Sequence, residues 1–266
     1  MMQRLSRHKI AGTDIEVSPL GFGTVKFGRD QGVKYPEHFT IPDDREVLEL
    51  LSLAHDLGLN LLDTAPAYGT SEERLGQLFA KDKTLRKNWV ICSKVGEEFD
   101  NGESRFDFSE QHIRYSVERS LKRLNTDVIE LMLVHSNGED VNIIEQTGCL
   151  EVLSDLKKEG KIRATGMSTK TVEGGVLALK YSDIAMVTYN LNEQGEKPVL
   201  DYALENDKGI LVKKAFASGH VCLSGQDPVL ESLKLVFSHK AVSSAIVGTI
   251  NPAHLRQNVE ACLAAS

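Results

Sequence analysis

The chain has 266 residues, 41% hydrophobic and 26% charged, with a formal net charge of −7, the profile of a globular protein with one large core. The acidic balance, without any long Lys/Arg run, argues against nucleic acid or an anionic membrane as a partner, and no apolar run approaches the roughly 18 residues that could span a bilayer. "MMQRLSRHK" leads into no apolar stretch that would make it a signal peptide, and the four cysteines, Cys92, Cys149, Cys222 and Cys262, form no CxxC pair, so a cytoplasmic chain with reduced thiols and no metal site is expected; the sequence does not name the oligomer, and a monomer is the default expectation.

The leader "RLSRHKIAGTDIEVS" holds two short extended pieces around the turn signal Gly12 to Asp14 and reads as a hairpin. "PLGFGTV" (Pro19 to Val25) is the first strand. A helix follows from about Asp43 to Asp56, with Val47, Leu50, Leu51 and Ala54 on one face. "LNLLD" (Leu59 to Asp63) is the second strand, and "SEERLGQLFA" its helix, with Ser71 as N-cap. "WVICSK" (Trp89 to Lys94) and the helix "SEQHIRYSVERSLKRLN" come next, then "DVIELMLVH" (Asp127 to His135) and a helix around Leu150 to Lys158 that closes on Gly160.

Strands five to eight are "KIRATGMS" (Lys161 to Ser168), "IAMVTYN" (Ile184 to Asn190), "GILVKKA" (Gly209 to Ala215) and "SSAIVGT" (Ser243 to Thr249). Helical patterns lie near Thr171 to Lys180, Lys197 to Asn206, Pro228 to Ser238 and Pro252 to Ala264, while Gly28 to Thr40 and Asp100 to Ser104 read as loops. The strands are nearly continuous apolar runs, as strands covered on both faces are. Eight βα units in this length predict an α/β fold, a closed (β/α)8 TIM barrel forming a single domain over residues 1–266, with the leader hairpin plugging its floor. A doubly wound open sheet is the other arrangement this rhythm allows.

In such barrels chemistry sits at the C-terminal ends of the strands. There stand Asp63, Lys94 and His135, with Tyr68 in the loop after the second strand. A phenol titrates near 10, and an adjacent ammonium stabilises the phenolate and draws the pKa down. Lys94 can act so if Asp63 anchors its charge, and His135 could orient and polarise a carbonyl oxygen. Taken singly, each has a plainer reading: a structural Asp63–Lys94 pair, a Tyr68 that caps the core, a satisfied buried His135.

Set in "DTAPAYGTSEERLG", "ICSKVG" and "LMLVHS", these four residues in this order resemble the tetrad of the aldo-keto reductase family. The resemblance runs from the leader and "PLGFGT" to "NPAHLRQNVEA" and so covers nearly the whole chain. It implies reduction of an aldehyde or ketone to an alcohol by hydride from a nicotinamide cofactor. Tyr68 would be the general acid, tuned by Lys94 and Asp63, with His135 orienting the small-molecule carbonyl substrate. NADP(H) is the preferred cofactor by family habit and NAD(H) is possible.

On the cofactor side, Gly23 and Thr24 close the first strand. The Ser-Asn pair that holds the nicotinamide amide in the family is matched by Ser168 and Thr169, and the usual Gln by Met186, which leaves Asn190 as the nearest amide. Where many members place an aromatic ring under the nicotinamide, this chain has Lys213, then Lys214. The Phe216 to Gly219 turn, including Ser218, is expected to cradle the pyrophosphate with backbone amides. Gly248 and His254 occupy positions where related chains carry cations for the 2′-phosphate, which weakens the case for NADPH over NADH. Thr249 remains polar, and Gln257 and Asn258 would hold the adenine. Val25, Phe27 and Phe99 are the apolar candidates for the substrate side, Trp89 is expected at the floor, and the short tail after Asn258 predicts a shallow, broadly accepting pocket.

Two other functions fit parts of this pattern. A lyase or aldolase could use Lys94 as a Schiff-base amine. A nicotinamide-binding sensor or regulatory subunit with little turnover would suit the altered amide contacts at Thr169 and Met186.

Overall fold

In the computed structural model, which describes residues 3–33, 35, 38–219 and 227–265, the chain enters through a short antiparallel hairpin, β1 (His8–Lys9) and β2 (Glu16–Val17). Ile10, Ile15 and Val17 turn into the barrel interior against Leu61, Cys92, Leu131 and Leu211. Gly12 makes the hairpin's turn at φ +69°, with Asp207 so close that a Cβ would lie 2.4 Å from its carbonyl oxygen. The leader therefore does plug the floor.

Parallel strands β3 (Leu20–Gly23), β4 (Leu61–Asp63) and β5 (Val90–Val95) begin the barrel. Outside it, β6 (Glu97–Asp100) and β7 (Glu103–Phe106) pair as a second hairpin. The barrel continues through β8 (Ile129–His135), β9 (Ile162–Ser168), β10 (Ile184–Thr188), β11 (Gly209–Lys213) and β12 (Val242–Val247). β12 then pairs with β3 through Ala245 opposite Leu20, which closes the cylinder and excludes the open sheet.

Helices wrap the outside: α1 (Asp44–Asp56), α2 (Ser71–Lys81), α3 (Lys83–Lys87), α4 (Glu110–Arg123), α5 (Asp140–Thr147) and α6 (Cys149–Lys158) in the first half. In the second half come α7 (Val172–Tyr181), α8 (Lys197–Glu205), α9 (Pro228–Ser238) and α10 (Pro252–Ala265). Their starts follow the sequence chemistry: Asp43 and Glu46 form a capping box on α1, and Ser109, Thr171 and Asp227 cap α4, α7 and α9. Among the described residues, no helix is long and apolar enough to cross a membrane.

Three local readings are corrected. Asp100 to Ser104 is not a loop: Asn101 and Gly102, at φ +50° and +85°, are the two-residue turn of the β6–β7 hairpin. The segment before Leu150 forms α5, parted from α6 by left-handed Gly148, and α3 was not foreseen. Ser71 does not cap α2, because it is buried and its hydroxyl donates 2.8 Å to Thr24 Oγ1. Cys92, Cys149 and Cys262 are buried, and Cys222 lies outside the described residues.

Two apolar cores result, and strand pleat decides which side chain joins which. Leu62, Met132, Val134 and Val212 point outward to the helices, while Leu61, Cys92, Leu133, Met186 and Leu211 fill the cylinder. One step further along each strand, the inward position falls on Asp63, Lys94, His135, Ser168, Thr188 and Lys213. That polar layer is the mouth of the barrel. Trp89 precedes β5 at the opposite end, facing His55, as expected.

Candidate active site

The mouth layer opens into a cavity of about 900 Å³. Asp63, Tyr68 and His135 line it, and Lys94 lies just beneath, fully buried. Lys94 Nζ donates to Asp63 Oδ1 at 2.6 Å, to the Thr64 carbonyl at 2.9 Å and to the Tyr68 hydroxyl at 3.1 Å. The Tyr68 hydroxyl in turn donates to Asp63 Oδ2 at 3.3 Å, long for an O–H···O bond and easily exchanged for a better acceptor. His135 stands edge-on to Tyr68, with ring centroids 6.3 Å apart.

These contacts set the protonation states. Burial disfavours the Lys94 ammonium, but Asp63, Tyr68 and Cys92 outweigh it, and the pKa rises above the ordinary lysine value. Tyr68 differs from the expectation. Burial and then the Asp63 carboxylate push the phenol above its ordinary range, and the ammonium only partly offsets them. Tyr68 therefore holds its proton. His135 is pulled below its ordinary value by burial, against the pull of Glu97 and with the help of Lys94 and Lys213, so it is neutral near pH 7.

A residue that the sequence reading missed supports His135. Glu97, the first residue of β6, places Oε2 2.7 Å from His135 Nδ1, close but without hydrogen-bond alignment. Burial raises the Glu97 carboxyl, but His135, the Ser104 hydroxyl at 2.6 Å and Arg29 together hold it at about 2. The available signal was its place three residues past Lys94, just beyond the strand that pairs with the one ending on His135.

Of the predicted cofactor residues, Gly23, Lys213, Lys214, Phe216, Ser218 and Gly219 line the cavity on one side. Gly248, Thr249, His254, Gln257 and Asn258 line it where β12 runs into α10. Four others are not on the wall. Thr24 is buried and donates to the Asp63 carbonyl at 2.9 Å, holding β3 to β4. The Ser168 hydroxyl lies under Lys213, which donates to it at 2.9 Å. Thr169 turns outward to Glu196, at 3.5 Å. Asn190 is fully buried and spends its amide on the Lys214 carbonyl and the Asn192 N–H. Met186 sits one layer down, in the interior core.

On the substrate side, Val25 lines the cavity but Phe27 does not: the 3-10 turn Val25–Phe27 rotates it into the outer core, edge-on to Phe22. Phe99 is also off the wall, on the β6–β7 hairpin beneath the Arg29 guanidinium, 3.4 Å from its centroid. Tyr35 and Lys26 were not foreseen and do line the mouth, with Lys26 Nζ 4.0 Å from the Tyr35 ring centroid. The Tyr35 phenol is pushed up to about 12 by burial and by Asp63. Among the described residues no cluster of His, Cys, Asp and Glu is arranged to hold a metal ion.

A model of the Aldo/keto reductase family matches residues 19–229. The chain is 36% identical over 202 residues to the aldo-keto reductase YhdN of Bacillus subtilis, an alignment spanning 74% of this chain and 58% of that one. It is 30% identical over 221 residues to an NADH-specific methylglyoxal reductase of Escherichia coli, with 76% and 64% spanned. The chain thus spans less than two thirds of both relatives' lengths. A crystal structure assigned to the aldo-keto reductases from Pseudomonas aeruginosa is 57% identical, with a TM-score of 0.88 over 97% of this chain and 94% of that one. An aldo-keto reductase from Bacillus halodurans, 23% identical, shares the fold at a TM-score of 0.80, with 97% and 91% covered.

Proposed function

The chain belongs to the aldo/keto reductase family, and from that premise we propose that it is an oxidoreductase that interconverts an aldehyde or ketone and its alcohol with a nicotinamide cofactor. The observation that carries this reading is one ammonium, Lys94, bonded at once to the Asp63 carboxylate and the Tyr68 phenol at the mouth of a large cavity.

A nicotinamide dinucleotide suits this wall by its chemistry. Gly23 and Gly248 leave the wall open for close approach, Ser218 and Gly219 stand beside the space for a pyrophosphate, and the start of α10 presents His254, Gln257 and Asn258 to an adenosine; the Gly219 N–H expected to hold the pyrophosphate is instead bonded to the Phe216 carbonyl at 2.8 Å. The cofactor, when bound, supplies or accepts the hydride. Tyr68 keeps its proton because burial and Asp63 outweigh Lys94, so it can act as the acid that protonates the carbonyl oxygen. Lys94 donates to the phenol oxygen and so stabilises the negative charge that develops there as the proton leaves. Asp63 holds Lys94 in place, and neutral His135 orients the substrate oxygen against Tyr68.

The Schiff-base alternative suits Lys94 poorly, since an amine held as an ammonium at 2.6 Å from a carboxylate is not a nucleophile. For the cofactor, NADPH remains the expected preference by family habit. Among the described residues, however, the adenosine end of the wall is lined by His254, Gln257 and Asn258, with Arg256 on the same helix but off the wall, so the margin over NADH should be small. A Tyr68→Phe variant should bind NADPH as the wild type does, by nicotinamide fluorescence, and lose about 10³-fold in turnover of a nitrobenzaldehyde. Full activity in that variant would remove Tyr68 as the proton donor. Tight cofactor binding with no turnover of any aldehyde by the wild type would favour the sensor.

A further inference from the structure

Lys213 ends β11 with its side chain inward, in register with Thr188 of β10, on the wall of the cavity that Tyr68 and His135 share. Its ammonium donates to Ser168 Oγ at 2.9 Å and to the Thr169 carbonyl at 2.6 Å, both neutral acceptors. The carboxylates that face it, Glu196 just ahead of α8 and Asp140 at the head of α5, act on it only through space, as do the amines of Lys170 and Lys214. Both carboxylates are engaged elsewhere. Glu196 accepts from the Thr188 N–H at 2.7 Å, and Asp140 accepts from the Lys170 and Thr171 N–H groups at 2.9 and 2.8 Å. Lys213 also reaches the catalytic side electrostatically, since its charge helps to lower His135.

This wall therefore presents a cation held by neutral partners, where Thr169 has turned away and Met186 lies in the core. The two redox forms of a nicotinamide differ there by one positive charge on the ring. We propose that Lys213 makes the site charge-selective, favouring the uncharged dihydronicotinamide over the pyridinium, so that the protein binds reduced cofactor more tightly than oxidised. The inference rests on the nicotinamide-dependent function proposed above. Two like charges several ångströms apart at a protein surface repel strongly enough to produce a preference of about tenfold or more. By contrast, the buried Lys94–Asp63 pair on the far side is internally neutral and contributes little to that discrimination.

Calorimetric titration of the purified protein with NADPH, NADP⁺, NADH, NAD⁺ and ADP-ribose tests it. The wild type should bind each reduced form about tenfold more tightly than its oxidised partner. Lys213→Met and Lys213→Gln should bring both ratios close to one, with ADP-ribose affinity unchanged as the check that each variant is folded. Equal affinity of the wild type for reduced and oxidised forms overturns the proposal, whatever becomes of the variants. So does a preference that survives in both variants, and with aldehyde turnover intact either result leaves the proposed function standing. If the wild type binds no dinucleotide at all, the proposed function falls and this inference falls with it.

Discussion

Lys94 on β5 and Lys213 on β11 both turn inward at a strand end, one layer above the interior core of the same barrel, and their surroundings move them in opposite directions. Lys94 has a carboxylate at 2.6 Å and its pKa rises. Lys213 leans on a hydroxyl and a carbonyl; burial lowers it, Glu196 and Asp140 only partly compensate, and it settles at about 8. Desolvation penalises both. What separates them is whether the counter-charge is in contact or only in the vicinity, because only a close partner repays the loss of water. One wall of the mouth is thus electrically closed, and the other keeps a cation facing the cavity.

The change that should break this contrast most strongly is Asp63→Asn. It leaves the buried Lys94 ammonium without its carboxylate, and the unfolding free energy should fall by about 3–5 kcal/mol in a denaturant titration. A loss below about 1 kcal/mol would mean that Lys94 sheds its proton or reaches water. Next in size is Glu97→Gln, which removes the anion beside His135 but keeps the shape. His135 should titrate at still lower pH by NMR, because Glu97 raises it, and turnover should drop about tenfold. An unmoved His135 titration would exclude Glu97 as its electrostatic partner.

A smaller effect concerns pH. Native Lys213 loses its proton near pH 8, whereas in the unfolded chain it keeps it until about 10.4. Between those values the unfolded state binds more protons, so this group makes stability rise with pH there, and contributes no slope below pH 8. Lys213→Met should remove that rise, seen as a flatter dependence of Tm on pH between 8 and 10. The same slope in both proteins would show that Lys213 titrates like an exposed lysine. The smallest expected difference is between NADPH and NADH, whose dissociation constants should lie within about tenfold, since the described wall at the adenosine end carries His254, Gln257 and Asn258 and leaves Arg256 off it. A ratio of a thousand would point to a cation outside the wall described here.

The legible part of the site was the part written along strands. Asp63, Lys94 and His135 each follow an inward apolar residue by two positions, so a period of two and eight recognised strands bring them to one rim. The starts of α1, α4, α7 and α9 were legible in the same local way, each within a residue of the helical pattern read along the chain. What went unread depended on turns and on contacts across the chain. Phe27 follows the first strand and so reads as a substrate residue, yet a single 3-10 turn sends it into the outer core. Thr169 and Asn190 carry the right chemistry for a cofactor and spend it on Glu196 and the Lys214 carbonyl. Glu97 lies 38 residues before its partner His135, and only the pairing of β5 with β8, Val95 opposite Val134, sets the two side by side at the mouth.

By itself, the sequence determined the barrel, its floor hairpin and the identity of the groups at its rim, because strand periodicity and turn chemistry act over a few residues. Only the tertiary structure decided their electrical state: that Tyr68 stays protonated despite its ammonium neighbour, and that Lys94 and Lys213 diverge. Those outcomes depend on burial and on differences of an ångström or two between charges drawn from distant strands, and no local pattern encodes such distances.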